Sequence, residues 1–116
     1  MSSQNFQLLR IALDGKIVLL NGYECFIKVR PYNSGRIYMT LHDLKDGQQV
    51  ARVTLDIDDI PHIDHLIIVK SYAENKGMYE ALIEANIIEE CTRKYAVGFE
   101  FAHVCFLKLP LNTTLN

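Results

Sequence analysis

Positions 56–65 read DIDDIPHIDH, which places four aspartates and two histidines around one proline. Imidazole and carboxylate together are zinc ligands, and clustered carboxylates hold calcium. His62, Asp64 and His65 are therefore the candidate metal ligands, and a turn of helix would bring His62 and His65 to one face. Neither pattern closes. A calcium loop needs oxygen ligands at alternating positions, a glycine at the bend and a closing glutamate, whereas Ile60 and Pro61 occupy the middle here. A catalytic zinc needs a third ligand, and the remaining imidazoles, His42 and His103, are distant in the chain. The favoured expectation is a solvated acidic connection. Pro61 would block strand pairing, Asp58 or Asp59 would make side-chain turns, and Ile57, Ile60 and Ile63 would anchor the loop.

His103 and Cys105 form a second candidate, because an imidazole beside a thiol can generate thiolate. Their neighbours Phe99 and Phe101 are aromatic, however, and no orienting carboxylate or oxyanion hole is marked nearby. A core histidine beside an inert thiol is expected, with no catalytic residues and no cofactor. The three cysteines, Cys25, Cys91 and Cys105, have no CxxC spacing and are expected to be buried and reduced.

The third candidate is a sheet face. Glycines at positions 15, 22, 35 and 47 each follow a turn-forming residue, and the dipeptides separate apolar runs as hairpin turns do. With three-residue loops ending in glycine, at 13–15, 20–22, 33–35 and 45–47, a five-stranded antiparallel meander is expected over about 6–12, 16–20, 23–31, 36–43 and 50–57. This register pairs Ile11 with Ile17, Ile17 with Cys25, Ile27 with Leu41, Val29 with Met39, and Met39 with Val53. One face then carries Leu9, Ile11, Ile17, Leu19, Tyr23, Cys25, Ile27, Val29, Ile37, Met39, Leu41, Ala51, Val53 and Leu55. The first segment, NFQLLRIAL, also fits the start of a helix.

The opposite face of the same register gathers Phe26, Lys28, Arg30, Arg36, Tyr38 and Arg52, the candidate binding residues, with Tyr32, Thr40 and His42 among them. Rings interleaved with cations suit an Arg- and Tyr-rich protein contact, and they also suit a single nucleic-acid strand, stacked on the rings and neutralised by the cations. A plain solvated face, covered by Lys and Arg stems, is the competing reading.

The remaining elements complete an α+β domain spanning 1–116: a curved antiparallel meander with one amphipathic helix packed on its apolar face. An acidic loop occupies 58–64 and a strand 65–70. Asn75 would cap a helix over about 76–90, with Met78, Ala81, Leu82 and Ala85 on its apolar stripe. A closing strand is expected over 96–109 and a polar tail over 110–116.

Composition narrows the function classes. A formal charge of −2 leaves no global footprint for duplex nucleic acid or an anionic membrane. No apolar run approaches the ~18 residues of a membrane span, and the opening Met1-Ser2-Ser3-Gln4-Asn5 lacks a secretory pattern, so a cytoplasmic protein is expected. Edge strands leave either a monomer or an edge-paired homodimer.

The run Glu74-Asn75-Lys76-Gly77-Met78, followed by Ala85-Asn86-Ile87-Ile88 and then Gly98-Phe99, resembles the C-terminal half of a family of small proteins carried by bacteriophages, plasmids and conjugative elements. With the preceding VARVTLDI the similarity spans about 50–109, and Asn86 stands where that family often has glycine. The resemblance brings no catalytic residues and implies structural roles for Gly77, Met78 and Gly98. It also implies a mobile-element accessory protein that binds and modulates a host protein, inhibition of a defence system such as CRISPR or restriction included. The alternatives are a small metal-dependent hydrolase using His62, Asp64 and His65, and a single-stranded nucleic-acid-binding module.

Overall fold

The computed structural model describes residues 3–108 and shows an α+β protein. The chain runs α1 (Ser3–Leu13), β1 (Ile17–Leu20), β2 (Tyr23–Pro31), β3 (Ile37–Asp43), β4 (Gln49–Arg52), β5 (Leu66–Val69), a 3-10 turn (Ala73–Asn75), α2 (Met78–Glu84), β6 (Lys94–Val97) and β7 (Glu100–Phe106). Strands β1-β2-β3-β4 form one antiparallel meander; β5-β7-β6 form a second sheet in that order. The end of the expected closing strand and the polar tail, positions 109–116, lie outside the described residues.

The segment expected to be the first strand is a helix. Phe6, Leu9 and Leu13 fall at helical spacing and are buried, while Ile11 is 75% exposed. The chain then turns so that Gly15 N–H donates to Ile27 O and Ile27 N–H to Lys16 O, which brings β1 alongside β2. The turn between them is Asn21-Gly22 alone, with Leu20 opposite Tyr23, and both residues are left-handed, at φ 50° and 90°. Such a two-residue turn matches the right-handed twist of paired strands. It also shifts β1 by one residue from the expected register: Ile17 pairs with Phe26, and Val18 with Cys25. A one-residue slip exchanges the faces of a strand. Val18 and Leu20 are therefore buried, and Ile17, Leu19 and Tyr23 are exposed.

Elsewhere the expected register holds. Ile27 pairs with Leu41, Val29 with Met39, Lys28 with Thr40 and Arg30 with Tyr38. The β3–β4 loop is one residue longer than expected, closing from Asp43 to Gln48, and an irregularity after Leu41 restores Thr40 opposite Arg52. This is the register correction a β-bulge provides.

The main core lies between the inner face of the first sheet, α1, α2 and one side of the second sheet. Ile67 and Val69 of β5 face this core, whereas Leu66 and Ile68 face a smaller cluster with Ile60, Ala102 and Val104. All four residues of β5 are buried for that reason, because successive side chains point to opposite faces. Leu55 packs at the margin of the smaller cluster rather than in the main core.

The α2 helix ends earlier than expected, at Glu84. Asn86 adopts a left-handed conformation at φ 60°, and Ile87 N–H bonds back to Leu82 O, a glycine-type stop made here by asparagine. Its start is also different. Asn75 is buried in the preceding turn, Gly77 stands at the N-cap, and Ser71 Oγ accepts from Tyr79 N–H at 2.9 Å. Gly77 sits at φ 90°, and a Cβ there would lie 3.1 Å from Asn21 Oδ1, so the helix start and the β1–β2 turn are packed through a glycine.

The closing strand is in fact a hairpin. Gly98 and Phe99 form its tip, Val97 pairs with Glu100, and Tyr95 pairs with Ala102. Strand β7 is consequently internal, and β6 rather than the last strand forms an edge of the second sheet.

Candidate functional site

The open face of the first sheet and the exposed side of α1 enclose a groove of about 760 Å3 lined by Arg10, Asp14, Phe26, Lys28, Arg30, Tyr38, Thr40, His42 and Gln49, among others. Four of the six candidate binding residues, Phe26, Lys28, Arg30 and Tyr38, meet here. Cross-strand pairing supplies the placement: Phe26 is opposite His42, Lys28 opposite Thr40 and Arg30 opposite Tyr38, with each pair on one side of the sheet.

The face is built from stacked groups. The Phe26 and His42 rings are stacked with centroids 5.5 Å apart and planes inclined by 27°, and Lys28 Nζ is 5.9 Å from the Phe26 centroid. The Arg30 guanidinium sits 4.5 Å over the Tyr38 ring, whose other neighbour is Tyr32, edge-on at 4.9 Å. His42 is held at both nitrogens, by Gly47 O at 3.1 Å and Thr40 Oγ1 at 2.9 Å. A carbonyl only accepts, so Nδ1 carries the hydrogen toward Gly47. Tyr32 donates to Thr54 O at 2.9 Å, and burial is the largest influence raising its pKa, opposed by the Thr54 side-chain hydroxyl and by the Arg52 charge. The phenol thus stays a donor and props Tyr38.

Two candidates fall elsewhere. Arg52 is exposed on the same face opposite Thr40 but does not line the groove. Arg36 is not on the open surface at all: it is only 4% exposed. After Val53 the chain leaves the first sheet, Thr54 bridges to Val69, and Leu55 N–H donates to Ile68 O. The acidic loop thereby folds across the Arg36 end of the sheet. Arg36 Nε meets Asp56 Oδ1 at 3.2 Å, and Nη2 donates to Ile60 O at 2.6 Å and Ile57 O at 3.4 Å.

The α1 wall was missed from sequence. Arg10 and Asp14 are an i, i+4 ion pair at 3.5 Å, and Asp14 Oδ1 also accepts from Val29 N–H, tying the helix end to β2. Ile17 and Leu19 extend the same face as an apolar margin, through the shifted register of β1. The signal available in the sequence was the helical spacing of Phe6, Leu9 and Leu13.

The acidic loop behaves as a cover. Ile60 is buried and Ile57 half-buried against the smaller cluster, whereas Ile63, expected to anchor, is 45% exposed. Tyr95 donates to Asp59 Oδ2 at 2.8 Å, and that bond is the main cause of its raised pKa. His62 lies near Gly35, where an added Cβ would be 3.7 Å from Nε2. His62, Asp64 and His65 are not assembled into a centre: among the described residues no group of three or more His, Cys, Asp or Glu side chains is placed to hold a metal ion.

Cys105 is no activated nucleophile. Burial, followed by its hydrogen bond to Cys91, pushes its thiol well above the ordinary range. His103 is stacked on Tyr79 at 4.2 Å, and its Nδ1 is buried with no partner among the described residues. Burial, then the Lys94 charge, lowers its pKa, with Glu80 opposing. A histidine so depressed takes its proton more readily in the unfolded chain. Its contribution to stability is complete above about pH 6.5 and is lost as pH falls toward the folded value. The melting temperature of the wild type should accordingly drop more between about pH 7 and about pH 5 than that of His103→Phe, which keeps the stacking but cannot titrate.

Among the described residues no helix is long and apolar enough to cross a membrane. No protein-family model matches this chain, and no curated protein and no solved structure matches it either, so the groove is interpreted from its own residues.

Proposed function

We propose that the protein is a non-enzymatic binding module that docks a partner protein across the β2–β3 face, in the groove walled by α1. The carrying observation is the solvent-open array of Arg30 on Tyr38 and Lys28 by Phe26, bordered by Arg10 and by exposed Ile17 and Leu19. Stacking holds these long side chains in place before a ligand arrives, which reduces the entropy lost on binding. Cations beside rings and aliphatic side chains suit a partner segment that carries carboxylates among apolar residues.

The mobile-element setting, with a host protein as the target and a defence component such as a CRISPR or restriction protein as its class, rests on the resemblance of the C-terminal half. The chain's carboxylates outnumber its Lys and Arg by 14 to 12, which favours a protein over a nucleic-acid strand as the ligand. A labelled single strand bound with steep salt dependence would reverse that preference.

Pulldown from host lysate with wild type and the Arg30→Glu/Tyr38→Ala variant tests the face. Recovery of the partner is expected to fall at least about tenfold, as for loss of an anchor residue. Equal recovery by both proteins would remove this surface as the contact. Cooperative melting of the variant serves as the folding control.

A further inference from the structure

Beyond the groove, one pair of side chains is placed for covalent chemistry of its own. Cys91 Sγ and Cys105 Sγ are 3.1 Å apart, and both are free thiols. The approach is organised by the surrounding structure. Ile88 bridges to Leu107, and Glu89 N–H donates to Phe106 O, which lays the segment before Cys91 antiparallel to the end of β7. The Tyr79 hydroxyl then clamps the Cys91 backbone, accepting from its N–H at 3.0 Å and donating to its C=O at 3.3 Å. The Tyr79 ring is itself fixed against His103, two residues before Cys105 on the same strand. A disulfide needs a sulfur separation of about 2.05 Å, so the two atoms must close by about 1 Å.

We infer that Cys91 and Cys105 form a dithiol–disulfide couple, a site of reversible oxidation by low-molecular-weight disulfides that fastens the 89–93 connection to β7. Exposure assigns the order of events. Cys91 is partly exposed and Cys105 fully buried, so Cys91 meets the reagent and Cys105 resolves the intermediate. The Cys91 thiolate attacks one sulfur of the reagent disulfide, whose S–S bond breaks and releases one thiolate. Cys105, favoured by its proximity rather than by a low pKa, then gives up its proton as its sulfur attacks Cys91 Sγ in the mixed disulfide, the Cys91–Cys105 bond forms, and the second reagent thiolate leaves. Two electrons pass to the reagent, and the two protons lost by the protein thiols are taken up by the two released thiolates. Cys25 is an internal control, because it is buried and its sulfur faces Tyr23 O rather than another thiol.

The test is incubation of the folded protein with oxidised glutathione, followed by alkylation and intact-mass and peptide analysis. The expected product has lost about 2 Da, carries one alkylatable thiol, Cys25, and yields a peptide linked through Cys91 and Cys105. Cys105→Ser should stop at a glutathione adduct on Cys91, and the oxidised wild type should melt several degrees higher than the reduced protein, as expected when a cross-link restricts the unfolded chain. Three alkylatable thiols after incubation, a persistent glutathione adduct on wild-type Cys91, or a bond to Cys25 would each overturn the inference. None of these outcomes depends on partner binding.

Discussion

Replacing Arg36 with alanine is expected to destabilise the protein by about 3 kcal/mol, the lower end of the range for breaking a buried ion pair, because Asp56 keeps some contact with water. The side chains are 4% and 25% exposed, respectively. The guanidinium does three things at once. It neutralises Asp56, and through Nη2 it satisfies the carbonyls of Ile57 and Ile60, which the acidic loop turns inward. Asp56 is further held by Ser34 Oγ at 3.0 Å. Removing the guanidinium takes the counter-charge from Asp56 and the donor from Ile60 O, while Ile57 O keeps the Ile60 N–H at 3.1 Å, and a buried acceptor left unpaired costs about 1–3 kcal/mol. Denaturant unfolding measures the loss directly. Arg36→Lys should recover only part of it, since an ammonium cannot reproduce the fork geometry. A loss below about 1 kcal/mol for Arg36→Ala would mean that the loop does not depend on this clamp.

The second large effect concerns Asn75, which is 1% exposed. Its Nδ2 donates to Arg52 O at 2.6 Å and Lys70 O at 3.2 Å, joining the end of the first sheet to the end of β5. Asn75→Asp preserves shape but replaces the two donors by an acceptor aimed at two carbonyls. A cost of at least about 2–3 kcal/mol is expected, from two lost hydrogen bonds and a carboxylate that must either stay charged beside oxygen atoms or take up a proton. The same substitution separates two roles for the residue. At a helix N-cap, aspartate and asparagine are nearly equivalent, so a cap would leave stability almost unchanged. Chemical denaturation of Asn75→Asp at neutral pH decides between them.

These two residues also show where sequence reasoning runs out. Strand alternation put Arg36 on the face shared by Arg30 and Tyr38, and locally that is correct, because Tyr32 N–H bonds to Arg36 O in the same ladder. Its burial comes from residues 56–60, about twenty positions further on, and no local pattern encodes that return. Asn75 has the sequence position of a cap, but the cap acceptor is Ser71, and Asn75 serves the nearby Lys70 carbonyl and the distant Arg52 carbonyl.

By itself the sequence determined the α+β class, the pairing of β2 with β3, and the gathering of Phe26, Lys28, Arg30 and Tyr38 on one open face. The period of alternating side chains and the glycine-closed β2–β3 loop are local and strong. Only the tertiary structure decided that 3–13 is a helix walling that face, that Asn21-Gly22 alone makes the first turn, and that the run after Lys94 doubles back at Gly98-Phe99. Each of these choices depends on which neighbour an apolar stripe finds to bury against. The proximity of Cys91 to Cys105 is of the same kind, since it follows from the chain after α2 returning to β7 rather than from any spacing between the two residues.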